Sequence, residues 1–214
     1  MIFSVVVTAF VLVAPVELPD KTMFATLVLA SRFRPLPVLA GVGAAFAVQV
    51  AIAVAAGSLL SLLPREWVAL AVALLFAVGA VLLWRSGKDE VGDADIDTAS
   101  QVAHKDWPAW RIALASFGIT FLAEWGDLSQ LATAGLAARY DAPLSVFVGA
   151  FGALLLIASL AVFVGAKLVA RLPIKLVRRT AAVLFAAFAA VAAYEAVAAY
   201  EAVTAFEAVT AFVV

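Results

Sequence analysis

The sequence predicts an all-α integral membrane protein: six transmembrane helices arranged as two inverted three-helix repeats. Three observations lead there. The 214 residues are 66% hydrophobic and 14% charged, with a mean hydropathy of +1.13; a soluble domain is nearer half apolar and about a quarter charged. The apolar residues fall into six long blocks, at 3–31, 36–63, 67–84, 110–138, 144–166 and 180–198. A polar motif inside the first block recurs inside the fourth.

Each block is long enough to cross a hydrocarbon core of ~30 Å at ~1.5 Å per residue. Backbone groups must be satisfied within the bilayer, which selects helices. A barrel would instead show short alternating segments. The first block lacks a basic leader and runs past signal-peptide length, so it reads as a retained helix. It is interrupted by Glu17, Asp20, Lys21, Pro15 and Pro19. The second block carries Gln49, and Trp67 and Trp84 bracket the third. Trp107, Trp110 and Tyr140 also fall near helix ends, as interfacial anchors do.

The connection 85–109 holds Asp89, Glu90, Asp93, Asp95, Asp97, Asp106 and the single histidine, His104. It reads as a solvated acidic linker, without the glycine and closing glutamate of a calcium-binding EF-hand loop. The fourth block carries Glu124, Asp127 and Gln130. After the sixth block the tail repeats every six residues. Six helical steps turn about 600°, so Glu195, Glu201 and Glu207 point to three faces and form no single stripe. The expected units are therefore a first repeat at 1–84, a linker at 85–109, a second repeat at 110–198 and a low-complexity tail at 199–214.

Basic residues set the orientation. Connections 32–35, 85–111 and 167–179 hold eleven Lys and Arg, whereas the opposite set holds only Arg65 and Arg139. The first set is expected in the cytoplasm and both termini outside. The net charge of −1 says nothing about nucleic acid, but the sequence has no basic tract that would bind it, so no nucleic-acid partner is expected; with no cysteine, disulfides and thiolate metal sites are excluded. The sequence leaves oligomeric state open.

Residues 17–33 read ELPDKTMFATLVLASRF and residues 124–140 read EWGDLSQLATAGLAARY. At an offset of 107, Glu17 matches Glu124, Asp20 matches Asp127, Thr22 matches Ser129 and Ala25-Thr26 matches Ala132-Thr133. Gly41 matches Gly149 one residue further on. A repeat unit of three helices re-enters the membrane from the opposite side, the inverted arrangement of many secondary transporters. Each Glu–Asp pair is spaced i, i+3 and is expected on one helix face. Two such faces meeting would gather four carboxylates near mid-membrane. Each charge there costs ~2.5–3.5 kcal/mol on the insertion scale, so such residues are expected to line an ion path.

Oxygen donors without His or Cys suit a hard divalent cation. Thr22 and Ser129 add hydroxyls, while Lys21, Gln49 and Gln130 are secondary candidates. Prolines 15 and 19 free backbone carbonyls, Gly126 gives local freedom in the second copy, and Met23 reads as packing. A carboxylate in a low-dielectric site binds a proton when no cation is present, so the same groups can serve both ions in turn.

At these residues the chain resembles Uncharacterised Protein Family 0016, whose members carry two copies of Glu-x-Gly-Asp-(Lys/Arg)-(Thr/Ser). That family includes the Golgi manganese and calcium transporters and bacterial manganese exporters, and is grouped with the lysine-exporter superfamily. The resemblance covers residues 1 to about 195. It implies exchange of Mn²⁺ or Ca²⁺ for protons, with Glu17, Asp20, Thr22, Glu124, Asp127 and Ser129 binding the cation as substrate and no resident cofactor. It also implies lipid surroundings, in a bacterial plasma membrane. Pro19 stands where the family has Gly, and Leu128 where it has Lys or Arg. The rival readings are an exporter of amino acids or small organic cations, an intramembrane enzyme and a structural protein. No His-Glu-x-x-His pattern is present, and the short loops leave no room for a nucleotide-binding domain.

Overall fold

The computed structural model describes residues 1–18, 21–85, 107–164 and 174–213, and every regular element among them is a helix. Eight helices run through these residues. They are α1 (Phe3–Glu17), α2 (Lys21–Arg32), α3 (Pro35–Leu60), α4 (Arg65–Arg85), α5 (Ala109–Ala123), α6 (Leu128–Arg139), α7 (Pro143–Val164) and α8 (Ile174–Val213). The acids of the linker and His104 lie outside the described residues.

The expected continuous helices 3–31 and 110–138 are each divided in two, and the divide falls on the motif. Glu17 ends α1. In the second copy α5 stops at Ala123 and α6 starts at Leu128, with Asp127 as its N-cap. The physical cause is local. Gly126 sits at φ +79, a left-handed conformation that glycine takes without steric cost. In the first copy α1 ends at Glu17 and α2 begins at Lys21, and Pro19 lies outside the described residues.

Four stretches are individually long and apolar enough to cross a membrane: Pro35–Leu60, Arg65–Arg85, Pro143–Val164 and, within α8, Leu176–Thr204. Helices α1 and α5 are apolar but only 15 residues each. Helices α4 and α8 pair at the periphery, where Phe76 packs its ring against Phe185 and Phe188, with centroids 4.9 and 4.6 Å apart. Leu70, Leu74, Val78, Val183 and Val191 on this pair are exposed. An apolar skin of this kind belongs in lipid, and the chain is an α-helical membrane protein.

Helices α3 and α7 form the centre. Gly41 of α3 lies so close to α5 that an added Cβ would collide with the Ala113 carbonyl and the Ser116 Cβ. Gly149 of α7 meets the Val6 carbonyl and the Ala9 Cβ of α1 in the same way. Residues 113 and 116 follow 6 and 9 by 107, and 149 follows 41 by 108. One close contact is therefore made twice, with the halves exchanging roles. The burial pattern agrees at that offset: Val38 and Val146, Ala45 and Ala153, and Ala53 and Ala161 are all buried.

Candidate functional site

Both helix breaks point carboxylates inward. Glu17, at the end of α1, is 1% exposed, and Glu124, which caps α5, is 2% exposed. The N–H of Glu124 still reaches back to the Thr120 carbonyl at 3.1 Å. The chain then turns through Trp125 and Gly126, and the Asp127 N–H returns to the Glu124 carbonyl at 3.1 Å. Asp127 Oδ2 accepts from the Ser129 N–H at 3.1 Å, capping α6. Glu124 and Asp127 thus sit on the ends of two helices rather than on one helix face.

Glu17, Glu124 and Asp127 each offer a carboxylate oxygen, and the three oxygens lie within 4.8 Å of one another. Asp127 is half-buried. A cation holding oxygens at about 2.1–2.6 Å spaces its ligand atoms about 3–5 Å apart, so this cluster is of the right size. Three carboxylates this close repel one another when charged, and a counter-charge among them relieves that repulsion. Asp20 lies outside the described residues, and so do the side chains of Lys21 and Thr22, whose backbones open α2.

A cavity of about 10 Å³, room for one water or a bare ion, adjoins Glu124. Gln49, Ser129, Gln130 and Thr133 provide its polar wall. Gln49 reaches across from α3 and donates through Nε2 to the Phe121 carbonyl at 3.0 Å. Gln130 Oε1 accepts from the Gly126 N–H at 3.0 Å. Thr133 donates to the Ser129 carbonyl at 2.7 Å. Met23, by contrast, packs with Ile157 and Ala161 in a separate apolar cluster.

Two of the buried hydroxyls, matched in the repeat, were not among the site candidates. Thr133 lines the cavity, and Thr26, its counterpart, is 1% exposed. Both lie four residues beyond the motif hydroxyls at Thr22 and Ser129, one turn further along the same helix face. The repeated Ala-Thr pair carried that signal. The assembled donors are carboxylate, hydroxyl and amide oxygens, the set that hard divalent cations take.

The description divalent cation/proton antiporter GDT1 belongs to a family whose model matches residues 5–91 and 112–200. A GDT1-like protein of Synechocystis sp. is 36% identical over 185 residues, covering 82% of this chain and 89% of that protein. GDT1-like protein 5 of Oryza sativa subsp. japonica is 32% identical, covering 80% and 86%. A candidate manganese exporter of Vibrio cholerae is 33% identical, covering 88% and 90%. No solved structure matches. With buried acids at the ends of two apolar helices and matches over both halves, the chain belongs to the divalent cation/proton antiporter GDT1 family.

Proposed function

We propose that this chain exports a divalent cation from the cytoplasm, Mn²⁺ first and Ca²⁺ next, in exchange for protons. The observation that carries the reading is the cluster of Glu17, Glu124 and Asp127, three carboxylates within 4.8 Å at the ends of broken apolar helices. Two protons or one divalent ion carry the same charge into such a cluster. The cation and the protons then compete for the same oxygens, which is the minimal device for exchange. Asp20 completes the acids, Thr22 and Ser129 supply neutral oxygens, and Lys21 lies at the mouth of α2.

The architecture proposed for this task is two inverted repeats of three crossings. In each, one crossing is discontinuous: α1 with α2, and α5 with α6. The doubled glycine contacts at Gly41 and Gly149 support it. So does the family match, whose two stretches begin at residues 5 and 112, the same offset of 107 as the motifs. Orientation follows from the basic residues, with both termini outside and connection 85–109 in the cytoplasm. Export of larger organic cations is disfavoured, because the cavity at the acids is only about 10 Å³.

The test is Mn²⁺ and Ca²⁺ flux in proteoliposomes, with and without an imposed pH gradient. Flux is expected to rise when protons run opposite to the metal. Glu17→Gln and Glu124→Gln are each expected to lower it by more than the ~10–100-fold typical of lost supporting groups around a metal. Flux indifferent to the gradient would sink the exchange reading. Retention of full flux in both variants would remove these acids from the site.

A further inference from the structure

The two copies of the motif are not equivalent: four positions around them are polar on one side and apolar on the other, while Lys21 and Leu128 differ the opposite way. At the 107-residue offset Ser116 stands for Ala9, Thr120 for Val13 and Gln130 for Met23; at the 108-residue offset of α3 and α7, Gln49 stands for Ile157. Seven of these eight residues are buried and Gln130 is half-buried, so both copies place them in the interior. Of the polar members, Gln49 and Gln130 line the cavity beside Glu124, and Ser116 and Thr120 lie on the helix that Glu124 caps. Met23 and Ile157 touch each other in an apolar cluster, whereas their counterparts Gln130 and Gln49 line the cavity beside Glu124.

Backbone chemistry explains where the two glutamines went. In the first copy the Ala14 carbonyl is satisfied by the Leu18 N–H at 3.1 Å. Its counterpart, the Phe121 carbonyl, sits above a turn in which the Trp125 N–H goes to Leu122 instead, at 3.4 Å. Gln49 supplies the donor in its place. A carbonyl only accepts, so the NH₂ of Gln49 must face Phe121. The amide oxygen Oε1 is then the atom of Gln49 left for the cavity. Beside Glu124 that oxygen can accept from a protonated carboxyl or ligate a cation.

We propose that the transported cation is held off the axis between the repeats, on the Glu124 side, and that Gln49 Oε1 is a neutral ligand that sets its selectivity. This rests on the carboxylate site proposed above and adds an asymmetry to it. The Glu17 side contributes its carboxylate, and among the described residues Met23 and Ile157 form an apolar cluster there. A hard amide oxygen in this position favours Mn²⁺ over a soft ion such as Cd²⁺.

The experiment exchanges the oxygen for sulfur at nearly constant size. Gln49→Met and, as its mirror, Ile157→Met are reconstituted, and pH-driven flux of Mn²⁺ and of Cd²⁺ is measured. Gln49→Met is expected to raise the KM for Mn²⁺ by about tenfold, the low end of the cost of losing one group that supports a metal. It should also raise the Cd²⁺ to Mn²⁺ flux ratio, while Ile157→Met shifts neither. Equal loss for both ions in Gln49→Met would reduce Gln49 to a brace for Phe121 and overturn the proposal. An equal selectivity change in Ile157→Met would overturn the asymmetry. If Gln49→Met does not reach the membrane, Gln49→Asn draws the oxygen back by one methylene; an unchanged KM for Mn²⁺ would then count against the proposal. Wild-type protein that moves neither ion would instead sink the carboxylate reading itself.

Discussion

Gly126, at φ +79, turns the chain between α5 and α6, at the position where the first copy has Pro19. A positive φ is open to glycine, whereas an L side chain there costs about 1–3 kcal/mol. Gly126→Ala is therefore expected to distort the turn between Glu124 and Asp127 and to depress metal flux. Gly118 is a control on the preceding helix, since an added Cβ there meets nothing within 4 Å. Gly118→Ala should leave flux intact and, by helix propensity, stabilise slightly, by up to about 1 kcal/mol. Equal flux in the two variants would show that the left-handed turn is dispensable. The motif letters were legible in the sequence, and so was the likeness of the two copies. The left-handed turn was not, because glycine permits many conformations and the neighbours decide which one is used.

Between elements, the contacts that matter are the crossings of α3 with α5 and of α7 with α1. Each depends on a glycine that lets two backbones approach, as small residues do in membrane interiors. Gly41→Ala and Gly149→Ala should each destabilise by about 1–3 kcal/mol through overpacking. Thermal unfolding in detergent would read this, and the two losses should be of similar size because the contacts mirror each other. A large loss at one and none at the other would contradict the doubled arrangement. The sequence predicted six long helices and placed each Glu–Asp pair on one helix face. Hydropathy reads through the breaks, since the residues around both motifs remain largely apolar. What it cannot see is that Glu124 ends one helix while Asp127 begins the next.

For the molecule in its membrane, the chain offers a clean test of orientation because it contains no cysteine. Ser31 and Ser61 are both exposed, near opposite ends of the proposed bundle. In intact cells a membrane-impermeant thiol reagent should label Ser61→Cys and spare Ser31→Cys, with both labelled after lysis. The reverse pattern would invert the proposed topology and with it the direction of export. Arginines mark both ends. Arg111 lies 6.0 and 5.6 Å from the rings of Trp107 and Trp110, and Arg179 lies 5.8 Å from Trp84. At the other end Arg139 pairs with Glu195 at 2.7 Å and stacks over Phe188 at 4.6 Å. That gives one of the three tail glutamates a partner, although their six-residue spacing spreads them over different faces. The pair is half-exposed on the Glu195 side and adds little stability by itself.

Composition and hydropathy were enough to make this an α-helical membrane protein, because the bilayer leaves so few solutions for an apolar chain. The repeat was enough to single out Glu17 and Glu124, because a charge inside an apolar block has a cost that must have a purpose. Folding decided the rest. It brought Glu17, from one end of the chain, to Glu124 and Asp127 more than 100 residues away, a distance in sequence that no local pattern encodes. It also set Gln49 and Gln130 beside Glu124 and their counterparts Ile157 and Met23 in an apolar cluster. Gln49 and Ile157 match only through the offset of α3 and α7, and their different surroundings arise from which helix each one faces across the centre of the bundle.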